Sequence, residues 1–429
     1  MADREFGIET LCLHAGQLPD PATGARATPI YQTAAYVFDS ADHAASLFNL
    51  QTFGNIYSRL SNPTTSVFEE RMAALEGGRA AVATSSGMAA EATTMLTLLE
   101  SGDHIVSANT LYGGTHTQFA VNFAKLGIDA TLVDPDNPEN FAAAITDKTR
   151  VIYGETIGNP LSNVLDIEAI AGIAHAHDLP LVIDSTFASP HLCRPIEWGA
   201  DIVVHSATKF IGGHGTSLGG VLVESGKFPW DNGKFPGMME PSRGYHGVRF
   251  YETFGDFGFT MRARCETLRT FGSTLAPFNA WMFLQGLETL HVRMERHCEN
   301  ALAVAEFLVE HPAVSWVKFA GLPDSPYHAL AQKYLPKGAG SIFSFGIKGG
   351  QAAGVKFIEG VEFLSHLVNV GDAKTLVCHP SSTTHRQMSE EEQLRAGIGP
   401  DMIRISVGLE TLDDILWDID QALHKSQQD

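Results

Sequence analysis

Val182-Ile183-Asp184 and Ile202-Val203-Val204-His205-Ser206-Ala207-Thr208-Lys209 each begin with an apolar run and end in a charged residue. Buried parallel strands of an α/β sheet read as continuous Val/Ile runs, and ligands bind beyond their carboxyl ends. We therefore expect Asp184 and Lys209 to reach one crevice, in which a fixed anion and a cation face the same ligand.

An aspartate and a lysine in this arrangement suit the chemistry of pyridoxal phosphate. Such an enzyme needs a lysine that holds the aldehyde as a Schiff base and an acidic group that keeps the pyridine nitrogen protonated. The residues after Lys209, 210–216, form a glycine-rich segment that permits close backbone approach, and the hydroxyls of Ser206 and Thr208 suit a phosphate. The alternative interpretation is that Asp184 caps a helix and Lys209 is a solvated loop cation.

Helix and strand patterns alternate along residues 66–225. Alternation of this kind predicts an α/β fold with a mostly parallel, doubly wound sheet and helices on both faces. Further on, a long helical pattern covers 260–308, and strand-like runs occur at 314–319, 342–345, 368–370 and 403–407. This order predicts a smaller C-terminal α+β domain.

Three segments are expected. Residues 1–65 have no clear period and several prolines, which indicates an extended N-terminal arm that helps to form a neighbouring subunit's site. Residues 66–270 are expected to form the large cofactor-binding domain, and residues 271–429 the C-terminal substrate-binding domain.

A phosphate site is expected where the strand at 80–84 runs into Ser85-Ser86-Gly87-Met88 and a helix begins. The first N–H groups of a helix and the positive end of its dipole favour an anion, and Gly87 allows it to approach closely. A serine before a helix is also an ordinary N-cap, so both interpretations stay open for this turn. The chain contains neither a GxGxxG turn nor a GxxxxGK[ST] loop.

Further candidates carry an aromatic ring or a positive charge. Tyr112 is placed in a loop after a predicted strand, where its ring can stack on a flat cofactor and its hydroxyl can move a proton. Tyr57 and Arg59 point to one side if the arm is extended, which suits a phosphate. A loop tyrosine over the core and a solvated arginine are the alternatives. Arg404 lies inside an apolar run, so an acidic side chain or a ligand carboxylate must pair with it.

Composition narrows the class of protein. The chain has 429 residues, 44% of them hydrophobic, and a formal net charge of −20. This acidic balance argues against a nucleic-acid or anionic-membrane partner. Five scattered cysteines, no basic-apolar leader and no long apolar run predict a cytoplasmic protein without disulfides. No metal site is expected, since His175 and His177 are two residues apart rather than three or four.

Taken together, these motifs resemble the pyridoxal-phosphate enzymes of cysteine and methionine metabolism, the family of cystathionine γ-synthase, the cystathionine lyases, methionine γ-lyase and the homoserine sulfhydrylases. The resemblance extends from about residue 28 to Arg404 and is most specific in the block from Asp184 to Lys209. Within the family it is strongest to the O-acetylhomoserine sulfhydrylase branch. The segments that indicate this branch are 54–59, 155–160, 223–228 and 369–380, with the insert at 226–258.

The resemblance implies a fold-type I pyridoxal-phosphate-dependent transferase. It assigns Lys209 to the Schiff base, Asp184 to the pyridine nitrogen, Tyr112 to the ring face and to catalysis, and Asn159 to the neighbourhood of the ring hydroxyl. The phosphate would be held by Ser86, Gly87, Met88, Ser206 and Thr208. Tyr57 and Arg59 would complete that site from a neighbouring subunit, which implies a homodimer at least and usually a tetramer. Arg404 would bind the substrate α-carboxylate.

The sequence departs from the usual pattern of this branch at Cys378 and at residues 115–117. Neither position has a chemical role in this interpretation, and both bear on the substrate range rather than on the reaction class.

The implied reaction is γ-replacement. Lys209 removes the α-proton, a second proton leaves the β-carbon, the γ-acyloxy group departs, and sulfide or a thiol adds in its place. Lys209 must be neutral to act as the base. Three alternatives remain: γ-elimination on the same residues, cysteine as the nucleophile, and a non-catalytic homologue that binds amino-acid ligands or partners.

Overall fold

The structure is a computed structural model that describes residues 5–383, 386, 391 and 397–428. Two β-sheets organise the chain, each with its own hydrophobic core. The strands are β1 (Ala80–Thr84), β2 (His104–Ala108), β3 (Asp129–Val133), β4 (Thr149–Glu155), β5 (Leu181–Asp184), β6 (Ile202–Ser206), β7 (Gly220–Glu224), β8 (Val314–Lys318), β9 (Ile342–Ile347), β10 (Ser365–His366), β11 (Leu376–Cys378) and β12 (Met402–Ser406).

The helices cover most of the remaining core positions. They are α1 (Ile8–His14), α2 (Ala41–Phe48), α3 (Pro63–Glu76), α4 (Gly87–Leu98), α5 (Gly113–Thr117), α6 (Glu139–Ala144), α7 (Ile167–Ala176), α8 (Ser189–Leu192), α9 (Pro236–Met239), α10 (Phe250–Phe254), α11 (Gly258–Arg262), α12 (Arg269–Phe271), α13 (Pro277–Glu288), α14 (Leu290–Glu310), α15 (His328–Tyr334), α16 (Gly350–Gly360) and a C-terminal helix (Leu412–Ser426). The π-helical segments are Gln118–Phe123 and Ala263–Leu268, and the 3₁₀ segments are Ala124–Leu126, Pro195–Trp198, Gly255–Phe257 and Pro380–Ser382.

The first sheet has seven strands in the order β1-β7-β6-β5-β4-β2-β3. Strands β2 to β6 pair in parallel, and β7 runs antiparallel to both of its neighbours. Strands β5 and β6, which end at Asp184 and Ser206, lie side by side near the middle of this sheet. The predicted doubly wound, mostly parallel sheet is confirmed, and its parallel direction brings the expected site residues to one edge.

The second sheet is smaller and mostly antiparallel, in the order β10-β11-β12-β9-β8. Helix α16 and the C-terminal helix pack against each other beside it. Helix α14 contributes side chains to both cores, Met294 to the first and Val304 to the second. The second, smaller α+β unit predicted from the sequence is therefore present.

Several element predictions were wrong in detail. Residues 368–370 form a loop between β10 and β11 rather than a strand, because the Val368 carbonyl and the Asn369 side chain are engaged by other side chains. The arm contains helices α1 and α2, which its prolines concealed. The helical pattern expected at 260–308 is confirmed, with breaks at residues 272–276 and at Thr289.

Two further observations concern the whole described chain. All five cysteines are free and buried. None of the helices in the described part of the chain combines the length and the apolar character that a membrane span needs.

Candidate functional site

Asp184 ends β5 at the carboxyl edge of the large sheet. Its Oδ1 accepts a hydrogen bond of 2.8 Å from the Thr186 backbone N–H, and the Thr186 hydroxyl accepts one of 2.8 Å from the Ser206 N–H. Thr186 thus ties the end of β5 to the end of β6. Burial raises the pKa of Asp184, and its hydrogen bonds with Thr186 oppose that rise.

Lys209 lies in the turn after β6, and its Nζ donates a hydrogen bond of 2.5 Å to Oδ1 of Asn369. The Lys209 pKa is lowered to about 8, first by burial and then by the positive charge of Arg404, while Asp184 acts in the opposite direction. Gly371 packs on this turn so closely that a Cβ there would lie 2.8 Å from the Phe210 nitrogen. The C-terminal unit therefore contacts the lysine directly.

Arg404, on β12, has no carboxylate within salt-bridge distance among the residues described. Its guanidinium donates to Oδ1 of Asn159 at 3.4 Å and to the Val368 carbonyl at 3.1 Å. Cys378 is the register partner of Arg404 on the adjacent strand; burial raises the pKa of its thiol, and the positive charge of Arg404 opposes that rise. The sequence left two possible partners for Arg404, an acidic side chain or a ligand carboxylate. Because no acidic side chain among the described residues lies within salt-bridge distance, the ligand carboxylate remains.

The turn from β1 into α4 lies against the end of β6. Ser86 is the N-cap, and its hydroxyl accepts a bond of 3.1 Å from the Ala89 N–H. A Cβ at Gly87 would lie 2.7 Å from the Ser206 Cβ, and one at Gly220 would lie 2.2 Å from the Ser86 carbonyl oxygen. Glycine is thus required at both positions for the two backbones to meet.

Hydrogen-bonding capacity is left over at this turn. The N–H groups of Gly87 and Met88 and the Ser206 hydroxyl have no partner in the described part of the chain. The Thr208 hydroxyl accepts a hydrogen bond of 3.1 Å from the Gly219 N–H and donates one of 3.3 Å to the Gly219 carbonyl. These groups form a donor-rich concave turn that suits an anion.

Tyr112 begins the short helix α5, and half of its surface is exposed. Its backbone N–H donates a hydrogen bond of 2.5 Å to Oε1 of Glu155. Glu155 is the register partner of Asp184 on the adjacent strand. Burial raises the pKa of Glu155 well above its usual range, and the negative charge of Asp184 adds to this. The Tyr112 backbone is therefore anchored beside Glu155, while half of the residue remains exposed.

Tyr57 and Arg59 lie on one side of the arm, with the guanidinium 5.0 Å from the centroid of the tyrosine ring. Both residues are exposed. Within the described chain, neither side chain hydrogen-bonds to Ser86, Ser206 or Thr208. The backbone carbonyl of Arg59 accepts 2.7 Å from the Thr274 hydroxyl, which anchors the segment.

Four site residues were not predicted from the sequence. Asn369 was noted only as part of a branch-specific segment, and Thr115 only as a departure from the usual pattern. Glu155, at the end of β4, was likewise noted only as part of a branch-specific segment, and Glu91, within α4, was not singled out. An acidic residue in an otherwise apolar run was the available signal, since Glu91 and Glu155 are both buried.

His311, Asp420 and His424 bring three potential metal-ligand atoms within 4.8 Å of one another. Nδ1 of His311 accepts 3.2 Å from the Ala313 N–H, so the proton of the neutral ring is on Nε2, which faces Asp420 at 3.2 Å. This tautomer directs no lone pair at an ion. The group is best described as a hydrogen-bonded cluster.

The residues at the sheet edge fit pyridoxal phosphate. A carboxylate, a lysine of lowered pKa and an open tyrosine face surround one end of the site, and the unpartnered donors of the α4 turn lie at the other. Arg404 adds a cation without a carboxylate partner in the described part. The donor set matches a cofactor that carries an aldehyde, a ring nitrogen and a phosphate.

Comparison with known proteins agrees with this fit. An O-acetyl-L-homoserine sulfhydrylase of Leptospira meyeri is 53% identical over 98% of this chain and 97% of its own. A homocysteine synthase of Schizosaccharomyces pombe is 52% identical over 97% of this chain and 98% of its own. The crystal structure of a putative O-acetylhomoserine (thiol)-lyase from Campylobacter jejuni, which carries an N'-pyridoxyl-lysine-5'-monophosphate residue, superimposes with a TM-score of 0.95 at 40% identity, over 98% of this chain and all of that one.

The family assignment follows from the extent of these matches. Residues 9–424 match the family described as Cys/Met metabolism PLP-dependent enzyme. The two relatives and the solved structure also match nearly the whole of this chain. Within it, the charges of Asp184 and Arg404 both act on Lys209. The chain therefore belongs to the pyridoxal-phosphate-dependent enzymes of cysteine and methionine metabolism.

Proposed function

We propose that the protein replaces the γ-acetoxy group of O-acetyl-L-homoserine with sulfide or methanethiol, giving homocysteine or methionine together with acetate. The observation that carries this proposal is that Arg404 lies near Lys209. The pKa of Lys209 is lowered to about 8, and Arg404 has no carboxylate partner among the described residues. A base and a cation that no described carboxylate neutralises, both at the carboxyl ends of the strands, suit an amino-acid substrate. The names of the two sulfur-transferring relatives support the choice of reaction.

Each residue has a proposed role in holding the reactants. Arg404 binds the substrate carboxylate as a two-pronged donor. Asp184 holds the ring nitrogen, Tyr112 covers the ring face and assists proton transfer, and Asn159 lies near the ring hydroxyl. The phosphate is held at the α4 turn by Ser86, Gly87, Met88, Ser206 and Thr208.

When bound, pyridoxal phosphate supplies an electron sink for negative charge at the substrate carbon next to the amine. Lys209 is the base: its neutral Nζ takes the proton from Cα, passes that proton on within the bound substrate, and, neutral again, takes one from Cβ. The bond from Cγ to oxygen breaks, and its electron pair leaves with acetate. Sulfide then forms the bond from sulfur to Cγ, and Lys209 delivers one proton at a time to Cβ and to Cα as the product forms.

The reaction is tested by incubating the protein with pyridoxal phosphate and O-acetylhomoserine, with and without sulfide, and identifying the products by mass spectrometry. Homocysteine and acetate are expected only with sulfide. Ketobutyrate and ammonia in both samples would contradict γ-replacement and indicate a γ-lyase. Cystathionine formed with added cysteine, in preference to homocysteine with sulfide, would indicate a cystathionine γ-synthase.

The proposal includes a homo-oligomer, at least a dimer and in its full form a tetramer. Residues 1–65 serve as an arm whose Tyr57 and Arg59 complete the phosphate site of a neighbouring subunit, while residues 66–270 and 271–429 bind cofactor and substrate. Exposed apolar side chains in the arm, Val37 at 96% and Phe53 at 76%, support a partner surface. Five free cysteines support a reducing, cytoplasmic location.

A further inference from the structure

Glu91 is a buried carboxyl group directly behind Asp184. It belongs to α4, and only 2% of its surface is exposed. Its Oε1 accepts a hydrogen bond of 2.9 Å from the Thr115 hydroxyl, and its carboxyl is in hydrogen-bonding contact with Asp184. A residue of the α4 helix thus links the helix that carries Tyr112 to the acid at the end of β5.

The contact between two carboxyl groups requires a proton. Oε2 of Glu91 is buried, and the Glu91 carboxyl is also in hydrogen-bonding contact with the Tyr153 hydroxyl. Two ionised carboxylates in contact repel each other, whereas a neutral acid donates a strong hydrogen bond to an ionised neighbour. Burial raises the pKa of Glu91 well above its usual range, and the charge of Asp184 raises it further. The proton is therefore assigned to Glu91 and the negative charge to Asp184.

We propose that Glu91 is a positioning residue: held by Thr115, it donates a hydrogen bond as a neutral acid to Asp184 and keeps that carboxylate ionised beside the ring nitrogen. The inference rests on the proposed function through the role of Asp184. Because the bond stabilises the Asp184 anion, it weakens Asp184 as a base. The proton shared with the ring nitrogen then stays on the ring.

The other titratable groups around Asp184 do not replace this donor. Glu155, beside it on β4, is an acid whose pKa is raised well above its usual range by burial, and its Oε1 is occupied by the Tyr112 N–H. Tyr153 is a buried phenol whose pKa burial also raises, and its hydroxyl is in hydrogen-bonding contact with Glu91 rather than with Asp184. His205 lies on β6 and is bonded through Nε2 to Glu76 at 2.6 Å. Lys209 adds the remaining charge on this side.

The test is a pH titration of the visible absorption of the protein loaded with pyridoxal phosphate. Glu91→Ala removes the donor, so Asp184 becomes a stronger base and the ring less positive. The linkage between Lys209 and the cofactor then loses its proton at higher pH, by about one pH unit for one charge-assisted hydrogen bond. Thr115→Val, which frees Oε1 of Glu91, should move the midpoint less and in the same direction.

Two variants serve as controls. Glu91→Gln keeps an N–H donor for Asp184 and an oxygen for Thr115, so its midpoint should remain close to that of the unmodified protein. Thr97→Val replaces another buried threonine of α4, bonded to the Thr93 carbonyl and the Thr267 hydroxyl, and should also leave the midpoint unchanged.

An unchanged midpoint in Glu91→Ala, or a shift in Glu91→Gln as large as that in Glu91→Ala, would overturn the inference while leaving the proposed function intact. If Glu91→Ala does not fold, the comparison of Thr115→Val with Thr97→Val decides: equal midpoints overturn the inference. The absence of a cofactor band in the unmodified protein would instead refute the proposed function, and the inference with it.

Discussion

Nζ of Lys209 donates a hydrogen bond of 2.5 Å to Oδ1 of Asn369, which joins the turn after β6 in the large sheet to the loop after β10 in the small one. The lysine is therefore positioned by both units of the chain. Its charge state depends on groups that lie far apart in the sequence.

The rate at which the cofactor-free protein takes up pyridoxal phosphate should depend on pH. A lysine must be neutral to attack an aldehyde, and the Lys209 pKa is lowered to about 8. The initial rate of cofactor uptake, followed by visible absorption, should therefore rise with pH around a midpoint near 8. A midpoint near the usual lysine pKa of about 10.4 would contradict the assigned environment.

Two different substitutions of Asn369 should move the pH midpoint of cofactor uptake in opposite directions. The Asn369 oxygen accepts a bond from the ammonium form, so Asn369→Ala should lower the Lys209 pKa and the midpoint of uptake. Asn369→Asp places a negative charge beside the same nitrogen and should raise both. The same uptake assay checks this, and a shift of equal sign in the two variants would show that Asn369 does not set the lysine's charge state.

Arg404→Met should weaken substrate binding more than turnover. Loss of a charged hydrogen-bonding pair costs about 1.5–3 kcal/mol, which corresponds to a rise in KM for O-acetylhomoserine of roughly 10- to 100-fold. Steady-state kinetics provide the measurement. As a control, Arg150→Ala removes another partly buried arginine, paired with Asp103 at 3.3 Å, and should leave KM unchanged. An Arg404→Met variant with the original KM would remove Arg404 from the substrate site.

The sequence was sufficient to predict the parallel sheet and its chemically active edge. Strands β5 and β6 begin as apolar runs; Asp184 ends the first and Lys209 lies in the turn after the second, at positions that the parallel topology brings together. This inference needed only a local pattern and a general rule about where strands end.

The contacts that tune the site were not predictable in the same way. The partner of Lys209 lies 160 residues away, and Arg404 and Asn159 are 245 residues apart. Residue 369 was instead included in an apolar run and assigned to a strand. Glu91 occurs in an ordinary helix, and its neighbours become visible only when α4 is packed against β6 and α5. Such contacts depend on tertiary packing, which a local pattern does not contain.

Glu76→Ala should strongly destabilise the fold. Glu76 on α3 and His205 on β6 form a hydrogen bond of 2.6 Å with both side chains fully buried. Removing one partner of a buried pair leaves the other without compensation and costs about 3–5 kcal/mol. The free energy of unfolding in urea provides the measurement. Glu197→Ala breaks a partly exposed pair with Arg194 at 2.7 Å and should cost less than about 1 kcal/mol. Equal losses in the two variants would contradict this assignment.

His175 should stabilise the fold in a pH-dependent manner. Its Nε2 lies 2.9 Å from the buried Asp201 carboxylate, and this hydrogen bond raises the His175 pKa. Because the folded pKa exceeds the unfolded value of about 6.5, the contribution is complete below pH 6.5 and is lost as the pH rises through the folded value. His175→Ala should thus lower the free energy of unfolding more at pH 6 than at pH 9. In an Asp201→Asn background this difference should disappear, and its persistence would exclude Asp201 as the cause.

The arm can be tested by mixing two inactive variants. Arg59→Ala impairs only the arm, and Lys209→Ala impairs only the site that the lysine belongs to. If the arm acts across subunits, an oligomer with one chain of each kind contains one site with both an intact arm and an intact lysine, so activity should return. Two different affinity tags and sequential purification isolate such hybrids.

The matched control pairs Lys209→Ala with Asp184→Ala. Both residues belong to the same chain's site, so every site of this hybrid lacks one of them and should remain inactive. The exposed side chains of Tyr57 and Arg59, which make no hydrogen bond to Ser86, Ser206 or Thr208 within the described chain, favour rescue in the first mixture. A hybrid of Arg59→Ala and Lys209→Ala that contains both chains and stays inactive would place the arm in its own subunit's site.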